Sequence, residues 1–266
     1  MDKILEELSK IGIVPVVIIE DAEKAAPLAK ALCEGGLPAA EVTFRTAAAK
    51  DAIAAMCKAC PEMIVGAGTV LTVKQAEEAL EAGAKFIVSP NFDEAVVKFC
   101  LERKVPVLPG IATPSELGKA VAMGLTEVKF FPAEQAGGLA MIKAMAAPFR
   151  GVKFMPTGGL NTKNIGEYLD SPEIIACGGS FMVNGAKIAA GDFEWVRRET
   201  ESAVKKMLSL SFIRNENGIN VFASKRPERA VYHMSRRGVE FDESTAVFDE
   251  KGLVSIDGAG MRIVRG

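Results

Sequence analysis

The sequence predicts an α/β protein: a (β/α)8 TIM barrel followed by a small C-terminal β-α-β-β-β unit. Three observations predict it. Short apolar runs recur at intervals of about 20 to 25 residues, eight in all. They are nearly continuous in apolar character, as parallel strands covered on both faces must be. Between them lie stretches of helical pattern with legible caps, and eight strand–helix repeats over about 200 residues fit a closed barrel. No G-x-G-x-x-G follows the first run, which weighs against an open dinucleotide-binding sheet.

In order, the strands are IVPVVII (13–19), AAEVTF (39–44), IVGAGTV (64–70), FIVSP (86–90), PVLPG (106–110), EVKFFP (127–132), KFMPTGG (153–159) and IIACGGS (174–180). Asp21 can cap the helix after the first strand, and Gly35 can end it. Thr72 with Gln75, and Thr113 with Glu116, are capping-box patterns. Pro114 suits a first helical position and Gly124 the residue past a helix end. Asn161 can cap KNIGEYL. The long stretch DFEWVRRETESAVKKML ends the barrel region. The character changes near residue 211, which places one domain over residues 1–210 and a second over 211–266. In the second, NENGINVFAS, RPERAVYHMSRRG, VEFDESTAVFD, GLVSI and GMRIVRG read as strand, helix and three strands. A unit of this size is marginal alone, so it is expected to pack on something.

Composition narrows the function. Net charge is -2 with no basic block, so nucleic acid is not expected as the main partner. The N-terminus MDKILEELSKIG lacks the features of a secretion signal, and no apolar run reaches the length of a bilayer span. No membrane partner and a cytoplasmic location are expected. The five cysteines are odd in number and follow no disulfide framework, which suits a reducing compartment. Cys57 and Cys60 form C-x-x-C near a helix end, but no second pair exists to complete a zinc site. His233 is the one histidine, so His-rich metal sites and Ser-His-Asp chemistry find little support.

In such barrels chemistry gathers at the C-terminal ends of the strands. On the second strand Glu41, Thr43 and Arg45 are spaced by two and share a side. The third carries Gly66, Gly68 and Thr69. The sixth sets Lys129 and Phe131 on one side, with Val128 and Phe130 on the other. The seventh ends in Thr157-Gly158-Gly159 and the eighth in Gly178-Gly179-Ser180. Glycines at these two endings let backbone N–H groups approach a phosphate, and Ser180 adds a hydroxyl. A lysine inside an apolar strand is costly unless paired. The same setting favours a neutral amine, which can add to a carbonyl and form a Schiff base. Arg45 is then the candidate neighbouring cation and a bidentate grip for a substrate carboxylate. Glu41 is either the proton carrier of imine chemistry or a simple ion-pair partner of Arg45 or Lys129.

Residues 5–208 resemble the 2-keto-3-deoxy-6-phosphogluconate (KDPG) aldolase family, which includes 4-hydroxy-2-oxoglutarate (KHG) aldolase activity. The matching stretches are GIVPVV, EVTFRT, IVGAGTVLT, FIVSP, VLPGIATPSE, VKFFPAE, MPTGGL and CGGSFMV. The resemblance implies a class I aldolase that needs no metal and no cofactor, since the imine forms on Lys129. It implies Glu41 as acid and base, Arg45 and Thr69 at the pyruvate carboxylate, and Pro90 and Phe131 lining the pocket. Thr157, Gly158, Gly159, Gly179 and Ser180 fall at the substrate hydroxyl and phosphate region. Phe44 stands where many members carry leucine. The expected substrate is a phosphorylated keto acid, with KHG or the galactonate epimer as alternatives, and the family is typically homotrimeric. The last 55 residues exceed the family's usual length. They resemble half of a vicinal-oxygen-chelate module without its metal ligands, and could extend the assembly by pairing with another copy. A ligand-binding scaffold is the non-enzymatic alternative, against which the intact Lys129, Glu41 and Arg45 set argues.

Overall fold

The computed structural model describes residues 2–266, which form two compact units, one reaching to Ala203 and one spanning Val204–Gly266. The first opens with helix α1 (Lys3–Ile11), whose first turn is held by the Asp2 carboxylate accepting from Ile4 N–H at 2.7 Å. Its apolar stripe, Leu5, Leu8 and Ile11, is buried. Strands and helices then alternate. The strands are β1 (Ile13–Val17), β2 (Ala39–Thr43), β3 (Ile64–Gly68), β4 (Ile87–Val88), β5 (Val107–Leu108), β6 (Gly110–Ile111), β7 (Glu127–Phe130), β8 (Lys153–Pro156) and β9 (Cys177–Gly179). The helices are α2 (Ala25–Glu34), α3 (Ala49–Ala59), α4 (Val73–Glu81), α5 (Glu94–Glu102), α6 (Pro114–Ala122), α7 (Gly138–Ala146), α8 (Ile165–Leu169), α9 (Gly185–Ala189) and α10 (Phe193–Leu208).

One sheet has the order β5-β4-β3-β2-β1-β9 and is parallel throughout; a second, β6-β7-β8, is parallel too. Every residue of β2 and β3 is buried, as the run-on apolar pattern requires. Each of the eight expected runs contains a strand. The fifth, PVLPG, yields two short ones, because Pro109 has no N–H to donate and interrupts the ladder. Its carbonyl still accepts from Lys129 N–H at 3.0 Å.

Helix caps follow the sequence with two differences. Thr113 and Glu116 form the full capping box of α6, and Thr72 accepts from Gln75 N–H. Asp21 caps a single 3-10 turn, Ala22–Lys24, before α2 begins at Ala25. Asn161 does not open a helix: α8 starts at Ile165, after a turn in which Asn161 accepts from Lys163 N–H. The reason is that the Asn161 and Asn164 amides both donate to the Gly159 carbonyl, each at 3.2 Å, which shapes the chain as a loop there.

The second unit holds β10 (Ser211–Glu216), β11 (Ile219–Ser224), α11 (Pro227–Ser235), β12 (Phe241–Asp249), β13 (Gly252–Gly258) and β14 (Met261–Arg265), in sheet order β10-β11-β14-β13-β12. Strands β11 and β14 run parallel across the α11 crossover, and the other neighbours are antiparallel. The expected β-α-β-β-β segment is preceded by a further strand, β10, of which only Asn215 and Glu216 fall within the stretch NENGINVFAS. Asn217 and Gly218, both at positive φ, make a two-residue hairpin turn between β10 and β11. The core is Ala230, Leu253, Ile256 and Ile263. His233 is buried in α11, edge-on to Tyr232. The edge strands expose Phe212 and Ile213 on β10, and Val247 and Phe248 on β12.

Candidate active site

Lys129 lies on β7 between Gly110 of β6 and Met155 of β8. The residue is 4 % exposed, and Nζ donates to Glu41 Oε1 at 3.1 Å. Glu41, on β2, is fully buried. Two strands far apart in sequence thus aim an amine and a carboxylate at each other inside the unit. Such a pair keeps both charges affordable only while both partners are present; deleting one leaves the other buried and unmatched. The Phe131 ring, one residue past the end of β7, stands 5.2 Å from Nζ.

Glycines make room for this geometry. A Cβ at Gly68 on β3 would lie 2.2 Å from Glu41 Oε1, so the carboxylate rests in the space a side chain would fill. A Cβ at Gly66 would strike the Phe86 ring, and one at Gly178 would meet Thr157 Oγ1 at 2.2 Å. Glu41 Oε2, Thr157 Oγ1 and Ser89 Oγ are buried and make no hydrogen bond. Buried polar atoms without a partner are costly, and such atoms on functional strands are candidates for ligand contacts.

The remaining site residues follow the ends of these strands. Strand β2 stops at Thr43, whose hydroxyl donates to the Val17 carbonyl, and Arg45 stands exposed in the turn beyond. Arg45 therefore does not continue the Glu41–Thr43 ladder, and among the described residues no hydrogen bond or ion pair joins it to Glu41, whose partner is Lys129. Thr69, just past β3, has φ 55, a conformation that a β-branched residue adopts only when its surroundings enforce it. Pro90, half-buried past β4, brings its carbonyl so close to Gly110 that a Cβ there would lie 2.2 Å away.

After β8 the chain turns through Thr157, Gly158 and Gly159, the glycines at φ 102 and 79, which only glycine takes without strain. Gly179 ends β9 and Ser180 follows it, exposed. Beside Ser180 opens a cavity of about 440 Å³ whose walls include Val16, Ile19, Glu20, Lys24 and Ile188. Lys129 and Glu41 are not among its walls.

Residues 4–199 match the family model for KDPG and KHG aldolase. The chain belongs to this aldolase family. It is 50% identical over 196 residues to the 2-dehydro-3-deoxy-phosphogluconate aldolase of Treponema pallidum, covering 74% of this chain and 93% of that protein. It is 45% identical over 193 residues to the KHG/KDPG aldolase of Escherichia coli, covering 73% and 91%. Among solved structures, the KDPG aldolase of Legionella pneumophila, with pyruvate captured as a covalent carbinolamine, superposes with TM-score 0.72 at 36% identity, covering 75% of this chain and 97% of that one. The Zymomonas mobilis KDPG aldolase with 3-phosphoglycerate gives TM-score 0.71 at 40% identity, covering 75% and 94%.

In this aldolase the structure adds residues that the sequence reading passed over. Glu134, the last letter of VKFFPAE, places its side chain against Gly159, where a Cβ would lie 2.5 Å from Glu134 Cγ. Its backbone N–H donates to the Gly158 carbonyl, and Ala133 N–H donates to Thr157. The Tyr168 hydroxyl of α8 donates to Glu134 Oε1 in a short hydrogen bond. Burial, then this contact, push the Tyr168 hydroxyl well above the ordinary tyrosine range. Glu134, Tyr168, Asn161 and Asn164 together tie the glycine loop after β8 to the segment after β7. Single-residue chemistry gave no signal for them, because their role exists only once the two loops meet.

Proposed function

We propose that the chain is a class I aldolase that cleaves 2-keto-3-deoxy-6-phosphogluconate to pyruvate and glyceraldehyde 3-phosphate through an imine on Lys129. The observation that carries this reading is the buried Lys129 amine 3.1 Å from Glu41, on the strands of a chain in the KDPG and KHG aldolase family. Glu41, directly or through a water, takes a proton from the Lys129 ammonium and frees the nitrogen lone pair to add to the C2 carbonyl. It returns a proton to the carbinolamine hydroxyl, which leaves as water and yields the iminium. Loss of the C4 hydroxyl proton breaks the C3–C4 bond. The bond's electron pair moves into the iminium to give an enamine, and the C4 fragment departs as the aldehyde. Protonation at C3 and hydrolysis of the imine release pyruvate and regenerate the amine.

In this reading Arg45 and Thr69 hold the pyruvate carboxylate, with Pro90 and Phe131 as walls. Arg45 reaches it from the turn after β2. Thr157 meets the substrate hydroxyls. Gly158, Gly159, Gly179 and Ser180 receive the phosphate, for which two left-handed glycines in succession are suited. The reading includes closure of the strands as a (β/α)8 barrel, supported by the parallel bridges Phe154↔Ile174 and Thr157↔Gly178 between the β8 and β9 segments. It also includes a homotrimer in the cytoplasm, with the exposed edge strands of residues 211–266 pairing between copies. The name of the Escherichia coli relative, KHG/KDPG aldolase, favours KHG as a second substrate.

Borohydride reduction in the presence of pyruvate tests the mechanism. The expected result is a pyruvyl adduct on the peptide holding residue 129, absent in Lys129→Met. Glu41→Gln should still bind pyruvate but turn over slowly. Active enzyme without an adduct on Lys129 would sink the imine.

A further inference from the structure

We propose that Cys33, Cys60 and Glu62 form a binding site for a thiophilic divalent ion, with zinc the best fit. The Sγ atoms of the two cysteines and a Glu62 carboxylate oxygen all lie within 4.8 Å of one another. The motif visible in the sequence is a different pair, and the structure separates it. Cys57 points its thiol at the Gly83 carbonyl, 3.5 Å away, on the flank of α3. Cys60 lies one residue past the end of α3, with φ -135 and ψ 82, and so turns away from the helical register that C-x-x-C would share.

The local fold brings the three ligands together before any ion arrives. Cys60, Pro61, Glu62 and Met63 make a turn closed by Met63 N–H to the Cys60 carbonyl at 2.9 Å. Pro61 fixes φ inside that turn, so Cys60 and Glu62 are held side by side. Cys33 comes from the last turn of α2. Both helices end here, and the negative ends of their dipoles favour a cation.

Tetrahedral zinc with bonds of about 2.3 Å to sulfur needs its two sulfurs about 3.8 Å apart. The ligand atoms lie within 4.8 Å of one another, so a contraction of at most about 1 Å satisfies this, within the rotamer reach of a half-buried Cys33 and an exposed Glu62. Cys60, at 5 % exposure, is the fixed member. Two thiolates and one carboxylate select zinc or cobalt over magnesium or calcium, which prefer all-oxygen shells. The exposed side leaves the fourth position to water. Binding displaces the two thiol protons to solvent, so it strengthens as pH rises.

The ion would staple the ends of α2 and α3, the helices of the first two strand–helix units, just before β2 and β3 begin. Arg45 and Thr69 follow the opposite ends of the same strands. The proposal does not depend on the aldolase reading and its test does not use turnover.

Reduced, chelator-treated full chain is titrated with cobalt(II). The expected result is one ion per chain, with a near-ultraviolet thiolate charge-transfer band and the visible bands of a tetrahedral ion, both abolished by zinc. Cys33→Ser and Cys60→Ser should lose the bands, and Cys57→Ser should keep them. Glu62→Gln, an exposed and conservative change, should weaken cobalt binding by about tenfold or more, with the melting curve of the ion-free protein unchanged. Absence of the bands in the full chain overturns the site. So does their loss in Cys57→Ser, which would assign the metal to the C-x-x-C pair.

Discussion

Replacing Gly68 with alanine tests the Lys129–Glu41 arrangement without removing any reactive group. A Cβ at this position would lie 2.2 Å from Glu41 Oε1 and 2.5 Å from its Cγ, where ordinary contact begins at 3.4 Å. The carboxylate must retreat by about 1 Å or the strand must bend. Glu41 has no exposed surface, so it cannot swing into solvent. A retreat of that size stretches the 3.1 Å contact with Lys129 Nζ to about 4 Å, beyond hydrogen-bonding range. Positioned proton transfer contributes about 10²–10⁴ in rate, so Gly68→Ala should lower kcat by about 10²-fold or more. Burial of a strained pair should also cost about 1–3 kcal/mol of stability. The assay is steady-state cleavage, with a urea melt on the same preparation. Borohydride trapping with pyruvate should still label Lys129, more slowly. A folded Gly68→Ala enzyme with wild-type kcat would refute the claim that the placement of Glu41 governs the proton transfers.

Tyr168→Phe removes the hydroxyl that holds Glu134 against the glycine loop. A hydrogen bond to a charged group contributes about 1.5–3 kcal/mol; KM for the phosphorylated substrate should rise about tenfold, while pyruvate trapping is unchanged. Equal losses in both measurements would reject a role confined to the phosphate loop. Cys100 is fully buried, and burial pushes its thiol up to about 11. Its folded pKa exceeds the unfolded value of about 8.5, so its contribution is complete below that pH and is lost as pH rises through about 11. Urea melts over this range should fall by about 1.4 kcal/mol per pH unit more steeply for the wild type than for Cys100→Ala. Phe248, 67 % exposed on edge strand β12, should matter to assembly. Phe248→Glu should lower the mass in solution if copies pair through the second unit, and an unchanged mass rejects that pairing.

The positions of the eight apolar runs and the two glycine endings were legible because they are local: apolar continuity and turn chemistry sit within a few residues. Lys129 was legible as an ammonium out of place, and its alternation with Phe131 gave the correct side. Its partner was only one of several open options, since the β2–β7 approach spans 88 residues of sequence. Arg45 was misplaced on the ladder, because a spacing of two predicts a shared face only while the strand lasts, and β2 ends at Thr43. Asn161 was read as a cap, its commonest use, but the Gly159 carbonyl claims its amide. Asn217-Gly218 is a strong hairpin signal that was absorbed into a longer strand. Glu134 and Tyr168 could not be found from their own surroundings, because each acquires its meaning from a segment more than 30 residues away.

The glycines of the strands share one property with a wider bearing. The volume that a side chain would take at Gly66, Gly68, Gly159 and Gly178 is already occupied by Phe86, Glu41, Glu134 and Thr157. Each pair is a seat and its occupant, contributed by different segments. Variation at these positions should therefore be inherited in couples: a larger residue at the seat is tolerable only with a smaller or displaced one opposite. Libraries aimed at new aldehyde acceptors should hold Gly68 and Glu41 fixed and diversify the Gly159–Glu134 and Gly178–Thr157 couples together, since single changes at either member open a void or force an overlap.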